Sequence, residues 1–144
     1  MKLAVFKQND GRVAINTDAI ISIQEVREVD GNDYIALIFK GSTLYFTNYS
    51  YDYVIKCLVK DEKLHKNYKP HPDADPKLFF TFICEGKKLG FKPDDIIYIQ
   101  ETDIEREYYI TLRLQNGTEY YVEGKFNEVI NDLAWTVYID PDKE

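Results

Sequence analysis

The sequence is poor in the residues that most often build catalytic and metal sites. Its 144 residues include two cysteines, Cys57 and Cys84, and two histidines, His65 and His71. No glycine-rich phosphate-binding motif of the GxGxxG or GxxxxGKS/T type occurs. A nucleophilic site would have to take its histidine from the polar segment between the two halves of the chain. We therefore predict no catalytic residue, no cofactor and no metal ion, and we expect that the protein is not an enzyme.

Long apolar runs are also missing. No stretch approaches the roughly 20 apolar residues that span a membrane. At the N-terminus the charged Lys7 follows only four apolar residues, which is not the pattern of a signal peptide. We expect a cytoplasmic protein without membrane contact, in which Cys57 and Cys84 are free thiols of a reducing compartment.

Two runs of polar residues alternate so that their side chains would share one side of an extended chain. Imidazole and carboxylate groups bind divalent cations, so each run is a candidate metal site. Neither has the paired spacing of a zinc finger, and we interpret both as solvated segments. The residues concerned are His71, Asp73 and Asp75 in one run and Glu101, Asp103, Glu105 and Glu107 in the other.

The net charge of −7 is distributed unevenly along the chain. Residues 1–60 carry seven basic and seven acidic groups, and residues 61–88 carry six and five. Residues 89–144 carry five basic and thirteen acidic groups, a net charge of −8. This balance disfavours binding to a phosphate backbone, which needs a cationic surface. It suits a solvated face or a contact with a basic protein.

The residues that are present repeat one pattern, near 1–60 and again near 77–135. Ile20–Glu25 matches Ile96–Glu101, and Tyr34–Leu37 matches Tyr109–Leu112. Each copy closes with apolar residues at i, i+3, i+4 and i+7, which indicates a helix. The sequence therefore predicts an α+β protein of two pseudo-equivalent β-rich modules, each with about five antiparallel strands followed by one short helix.

The predicted boundaries follow from the turns and the alternation of apolar residues. The first repeat is 1–60, with strands near 2–8, 11–16, 20–27, 34–40 and 43–48 and a helix near 50–60. A linker with three prolines covers 61–76. The second repeat with a C-terminal tail is 77–144, with strands near 77–84, 87–92, 96–102, 108–115 and 118–123, a helix near 125–135 and a final strand near 135–139.

The hairpin loops fix which side chains would point inward. A two-residue loop at Lys40-Gly41 pairs Leu37 with Leu44, and a three-residue loop ending at Gly117 pairs Leu112 with Tyr120. The outward residues of the first repeat are then mostly apolar, which predicts that they are covered by the second repeat, a second chain or a partner. The predicted interaction surface consists of Tyr34, Ile38, Tyr45, Tyr109 and Tyr121.

The cadence of the first repeat resembles that of the FlbD-like small proteins of bacteria. The residues that carry the resemblance are the turn at Asn9–Arg12, the Asn16-Thr17-Asp18-Ala19-Ile20 segment, the hairpin at Gly41 and the apolar helix after it. The second repeat, from Pro93 to Gly117, is similar to the LytTR-type DNA-binding domain but lacks its basic contact residues. The resemblance implies a compact β-rich fold and an accessory or regulatory role.

We expect a non-enzymatic protein-binding or regulatory accessory module that acts through an aromatic sheet face and the acidic second repeat. A protein partner of unknown identity is implied, and the chain itself would be a monomer or a homodimer. Two alternatives stay open. One is a nucleic-acid-binding regulator of LytTR type, and the other is an acidic inhibitor that competes with nucleic acid for a basic protein.

Overall fold

The computed structural model describes residues 2–8, 11–27, 33–66, 79–101, 109–133 and 135–140. These residues form a mostly β structure with two helices, so the predicted α+β class is confirmed. The first half contains strands β1 (Lys2–Gln8), β2 (Gly11–Asn16), β3 (Ser22–Arg27), β4 (Asp33–Phe39) and β5 (Ser42–Thr47), then helix α1 (Tyr51–Lys66). The second half contains β6 (Phe80–Cys84), β7 (Lys87–Phe91), β8 (Ile96–Glu101), β9 (Tyr109–Leu114), β10 (Glu119–Glu123), helix α2 (Phe126–Leu133) and β11 (Trp135–Ile139).

The strands of the described part form two sheets, and the larger one combines both halves of the chain. Its eight strands lie in the order β11-β1-β2-β8-β9-β10-β6-β7, and the smaller sheet has the order β3-β4-β5. Strands β2 and β8 are antiparallel neighbours, with Ala14 opposite Ile99. The predicted final strand is present as β11, but it pairs with β1 in parallel, which departs from the antiparallel pattern expected throughout.

Both predicted hairpins are confirmed. Leu37 lies opposite Leu44 across the Lys40-Gly41 loop, and Leu112 lies opposite Tyr120 across the longer loop. Gly117 has a φ of 90°, a conformation that glycine adopts without steric cost. The extra residue in the second loop therefore leaves the inward and outward faces unchanged.

A β-bulge marks the start of the third strand in each half. The backbone N–H of Ile21 donates to the carbonyl of Ile38 at 2.8 Å, although Ser22 is the register partner of Ile38. In the second half the register between β8 and β9 shifts between Ile96 and Tyr98. The order of hairpin, 3₁₀ turn, three strands and helix also occurs in each half. The duplication as such stays a prediction.

Helix α1 is longer than the sequence predicted, because it continues to Lys66 rather than ending near residue 60. The first proline of the predicted linker is Pro70, so the proline-rich part begins beyond this helix. Residues 67–76 of the linker lie outside the described residues. Helix α2 ends at Leu133, two residues before the predicted end.

Two apolar clusters form the core, one on each side of the larger sheet. The cluster of the first half packs Phe6 and Val13 against Leu37, Phe46 and residues of α1. The cluster of the second half packs Ile99, Ile110, Leu112 and Val122 against α2 and adds Leu3, Val5 and Ala14 from β1 and β2. Strands β1 and β2 contribute to both clusters and thus connect the two halves.

Candidate functional site

One part of the larger sheet has a face that no described element covers. On β1 and β2 this face carries Phe6 and Val13, which lie in the core beneath the small sheet. On β9, β10 and β6 the same face carries Tyr109, Tyr121 and Ile83, whose exposed fractions are 38%, 41% and 41%. We call this region the open face; it comprises Ile83, Tyr109, Thr111, Arg113, Glu119, Tyr121 and Glu123.

The two tyrosines of the open face stack on each other. Tyr121 lies opposite Thr111 and Tyr109 opposite Glu123, so the tyrosines are diagonal neighbours on adjacent strands. Their ring centroids are 5.5 Å apart and their planes differ by 19°. Because the rings hold each other in place, they present a rigid apolar surface that would lose little conformational entropy on binding.

A hydrogen-bonded polar group borders the tyrosine stack. Glu119 Oε1 accepts hydrogen bonds from Arg113 Nη1 and from the Tyr98 hydroxyl, each at 3.1 Å. The pKa of Tyr98 is raised, mainly by burial and then by the negative charge of Glu119. Arg113 Nε is buried and has no hydrogen-bond partner among the described residues. Because its pKa is raised, the Tyr98 hydroxyl stays protonated at neutral pH. It donates to Glu119 Oε1 and so holds that carboxylate in place.

The first half carries a corresponding tyrosine pair on the outer face of the small sheet. Tyr34 and Tyr45 meet edge to face, with ring centroids 5.7 Å apart. Ile38 lies opposite Thr43, where the second half has Arg113 opposite Glu119. The two outer faces thus share their tyrosines and differ in the neighbouring pair, which is uncharged in one half and charged in the other.

The structure brings the five predicted surface residues together as two separate pairs, with Ile38 beside the first pair. Tyr45 is 58% exposed and Ile38 is half-buried, whereas Ala36 on the same face is buried. The expectation that the second half covers this face is therefore wrong at Tyr45. The other expectation, a cover from a second chain or a partner, stays a prediction.

An ion pair between Arg12 and Glu101, which the sequence did not predict, joins the two halves of the chain. Glu101 accepts hydrogen bonds from Arg12: Oε2 from the backbone N–H at 2.9 Å and from Nε at 3.1 Å, and Oε1 from Nη2 at 3.1 Å. The same guanidinium donates to Asn127 at 2.8 Å and lies 4.7 Å from the centroid of the Phe126 ring. Hydrogen bonding to Arg12 lowers the pKa of Glu101, and the pKa of Arg12 is raised in return.

Asn16 forms a second polar link between the halves. Its buried side chain donates from Nδ2 to the carbonyl of Ile96 at 2.9 Å and accepts from the Asp18 backbone N–H at 3.1 Å. The sequence placed this residue in a repeated segment, but only the structure shows that it reaches the other half. The signal available in the sequence was an asparagine at the end of an apolar strand, because a polar side chain that is buried there needs hydrogen-bond partners.

A cavity of about 380 Å³ opens between β6 and α2. Its lining is mixed: the apolar members are Phe79, Phe80, Phe82 and Val129, and the charged members are the carboxylates of Glu123 and Asp132. This combination does not suit a phosphate-bearing ligand. Within the described part of the chain, no three His, Cys, Asp or Glu side chains converge where they could hold a metal ion. Of the two runs considered as metal sites, Glu101 is described and binds Arg12. The other members, His71, Asp73, Asp75, Asp103, Glu105 and Glu107, lie outside the described residues.

Neither described helix has the length and apolar character needed to cross a membrane. No protein-family model matches the chain, and no curated protein or solved structure matches it significantly.

Proposed function

We propose that the protein is a non-enzymatic protein-binding module of accessory or regulatory type that contacts its partner through the open face. The observation that carries the proposal is the exposure of three neighbouring apolar residues, Ile83, Tyr109 and Tyr121, on one rigid sheet. Single exposed apolar residues are ordinary, but a contiguous group with a polar border is typical of a binding surface. Tyrosine is also enriched in such surfaces.

The charge around the open face defines the partner we propose. Glu119 and Glu123 are exposed at its border, and residues 89–144 carry a net charge of −8. A complementary partner has an apolar patch edged by lysine or arginine side chains. The charges would speed the encounter and fix its orientation, while the tyrosines would supply most of the affinity.

The two-module organisation is part of this proposal. The bulge before each third strand and the outward tyrosine pair in each half support a duplicated module that kept its packing and changed its outer face. The resemblance to FlbD-like proteins supports an accessory role in a bacterial cytoplasm, and the LytTR-like segment supports a regulatory one. We therefore propose that the first half serves mainly in packing and that the second half binds the partner.

Direct nucleic-acid binding is the second candidate, because a stacked pair of exposed tyrosines resembles a platform for bases. The acidic border opposes it, since a phosphate backbone would meet Glu119 and Glu123. The acidic-inhibitor alternative is a form of the main proposal. In it the same carboxylates would bind the basic surface of a nucleic-acid-handling protein and so compete with nucleic acid.

A double variant tests the main proposal. Tyr109→Ser with Tyr121→Ser removes the stack, and Tyr34→Ser with Tyr45→Ser is the matched control that removes the corresponding pair of the first half. A partner isolated with the wild-type chain and then purified should bind the first variant at least about tenfold more weakly and the control about as well as wild type. Circular dichroism and thermal melting verify that both variants fold.

Equal binding by the wild-type chain and the open-face variant would contradict the proposal. Loss of binding in the control alone would assign the contact to the first half instead. Mixed-sequence oligonucleotides in a low-salt shift assay form the second arm. A shift there that Tyr109→Ser with Tyr121→Ser abolishes would favour the nucleic-acid candidate.

A further inference from the structure

Four of the described strands have one side without a neighbouring described strand, namely β11, β7, β3 and β5. Of these, β7 is the last strand of the larger sheet, and β3 is the first strand of the smaller one. An unpaired edge exposes backbone N–H and C=O groups that can pair with another strand. β3 carries Ile23 and Glu25 along this edge, and β7 carries Lys88 and Gly90.

These two edges correspond to the two strands that pair across the halves. Gln8 and Gly11 flank the turn of the first hairpin, and Cys84 and Lys87, each 76 positions later, flank the turn of the second. β7 is therefore the counterpart of β2. The bulge places Ser22 and Tyr98 at equivalent positions, again 76 apart, so β3 is the counterpart of β8. The contact between β2 and β8, here called the inner seam, thus has an unformed counterpart between β7 and β3.

The backbone orientation of both edges suits this pairing. In a hairpin with a two-residue turn, hydrogen-bonded and non-bonded pairs alternate outward from the turn. Cys84 and Lys87 form the bonded pair next to the turn, so Lys88 and Gly90 direct their N–H and C=O groups away from β6. The same alternation, counted from the turn of the β4–β5 hairpin and continued across the pairing of β3 with β4, applies to β3. Ile23 and Glu25 therefore direct their N–H and C=O groups away from β4. In the inner seam Ala14 lies opposite Ile99, and the corresponding pair is Gly90 opposite Ile23.

The charges of the two edges are complementary in the same register. Arg12 and Glu101 form the ion pair of the inner seam, at an Nε to Oε2 distance of 3.1 Å. Their counterparts are Lys88 on β7 and Glu25 on β3, and both are exposed. Glu25 Oε1 already accepts a hydrogen bond from Arg27 on its own strand, and Oε2 can accept from a lysine on a second strand.

We propose that β7 of one copy pairs with β3 of a second copy of this chain. The register is that of the inner seam, with Gly90 opposite Ile23 and Lys88 beside Glu25. The pairing makes the protein self-associating through strand addition, a contact in which backbone hydrogen bonds supply affinity and the charged pair fixes the register. The pairing uses the backbone edge of β7, where Lys88 lies opposite Ile83 at the margin of the open face. It holds whether or not the open face binds a partner.

Sedimentation equilibrium across about 1–200 μM at low salt measures the association. Lys88→Glu and Glu25→Lys should each weaken it by about fivefold or more, because like charges would then face each other. The chain with both changes restores the attraction and should return to within about threefold of wild type. Lys87→Glu is the matched control, since Lys87 directs its backbone toward β6 and lies outside the proposed ion pair.

A backbone variant tests the strand pairing without relying on charge. Gly90→Pro removes an outward N–H, leaves the hairpin bonds to β6 in place, and should abolish the association. Thermal melting at low concentration verifies that this monomer is folded. Three results would each overturn the proposal: a wild-type chain that stays monomeric at every concentration, association that persists in Gly90→Pro, or a double charge reversal no stronger than either single change.

Discussion

Arg12 and Glu101 form a polar contact between the two halves of the chain through several atoms. Three hydrogen bonds and a bidentate ion pair join strands that are 89 residues apart in sequence, and the ring of Phe126 covers the guanidinium. The side chains are 31% and 33% exposed, so solvent screens part of the attraction. Gly11 belongs to this site as well, since a Cβ there would come within 3.3 Å of Glu101 Oε2.

The pH dependence of stability should reveal this pair. Because the pKa of Glu101 is lower in the folded chain than in the unfolded one, its contribution is complete above the ordinary glutamate pKa of about 4.3 and is lost as the pH falls through the lowered value. Glu101→Gln should reduce the free energy of unfolding at pH 7 by ~1 kcal/mol. Urea titrations at pH 7, 5 and 3 measure the difference.

The difference between wild type and Glu101→Gln should shrink toward pH 3. Glu123→Gln is the control, since that carboxylate is exposed and should give nearly the same unfolding free energy as wild type at each pH. A wild-type advantage that stays undiminished at acidic pH would show that the amide disturbs packing rather than removing an ion pair.

At the scale of elements, the sequence predicted what is set locally. Each hairpin register follows from the turn residues and from alternation within a few positions, so Leu37 and Leu44 were paired correctly. The pairing of β2 with β8 and of β1 with β11 joins residues more than 80 positions apart, and no local pattern specifies either. The length of α1 was missed because its last turns are polar, whereas the prediction followed the apolar stripe.

The same distinction holds for the candidate site. Alternation identified the outward tyrosines, but their exposure depends on which parts of the larger sheet the small sheet covers. Ile83 was missed because its place on the open face depends on β6 pairing with β10, where it lies opposite Glu123. Ala36 lies on the outer face of the small sheet beside Tyr45 and is buried, which alternation along the strand does not predict.

Among the described glycines, Gly124 permits the closest approach of two elements, at the connection between β10 and α2. A Cβ at Gly124 would lie 2.8 Å from Val129 Cγ2, closer than van der Waals contact allows. Gly124→Ala should therefore destabilise the fold by ~1–3 kcal/mol, as overpacking usually does. Chemical denaturation measures the loss.

A second substitution separates steric crowding from other effects of Gly124→Ala. Val129→Ala removes the methyl group that the new Cβ would meet, so the double variant should lose less stability than the two single losses together. Strict additivity would contradict the crowding explanation. Gly90→Ala is the matched glycine control, because its Cβ would meet the Phe79 ring at an ordinary 3.7 Å.

At the scale of the whole molecule, the two halves share their elements but not their surroundings. The inner seam is closed, and its counterpart between β7 and β3 is open within one chain. The charge is divided in the same way, since residues 1–60 are neutral and residues 89–144 carry −8. With this asymmetry, the second half carries the acidic open face, and the open counterpart of the inner seam leaves one unpaired edge in each half, β7 and β3.

Amide hydrogen exchange at low micromolar concentration, resolved to single residues by mass spectrometry, tests this asymmetry most directly. Ala14 and Gly90 are counterparts whose N–H groups both point away from their own hairpins, but only Ala14 has a strand opposite it. The Ala14 amide should exchange at least about a hundredfold more slowly than the Gly90 amide, after correction for intrinsic rates. Equal exchange at the two amides, whether fast or slow, would contradict this expectation.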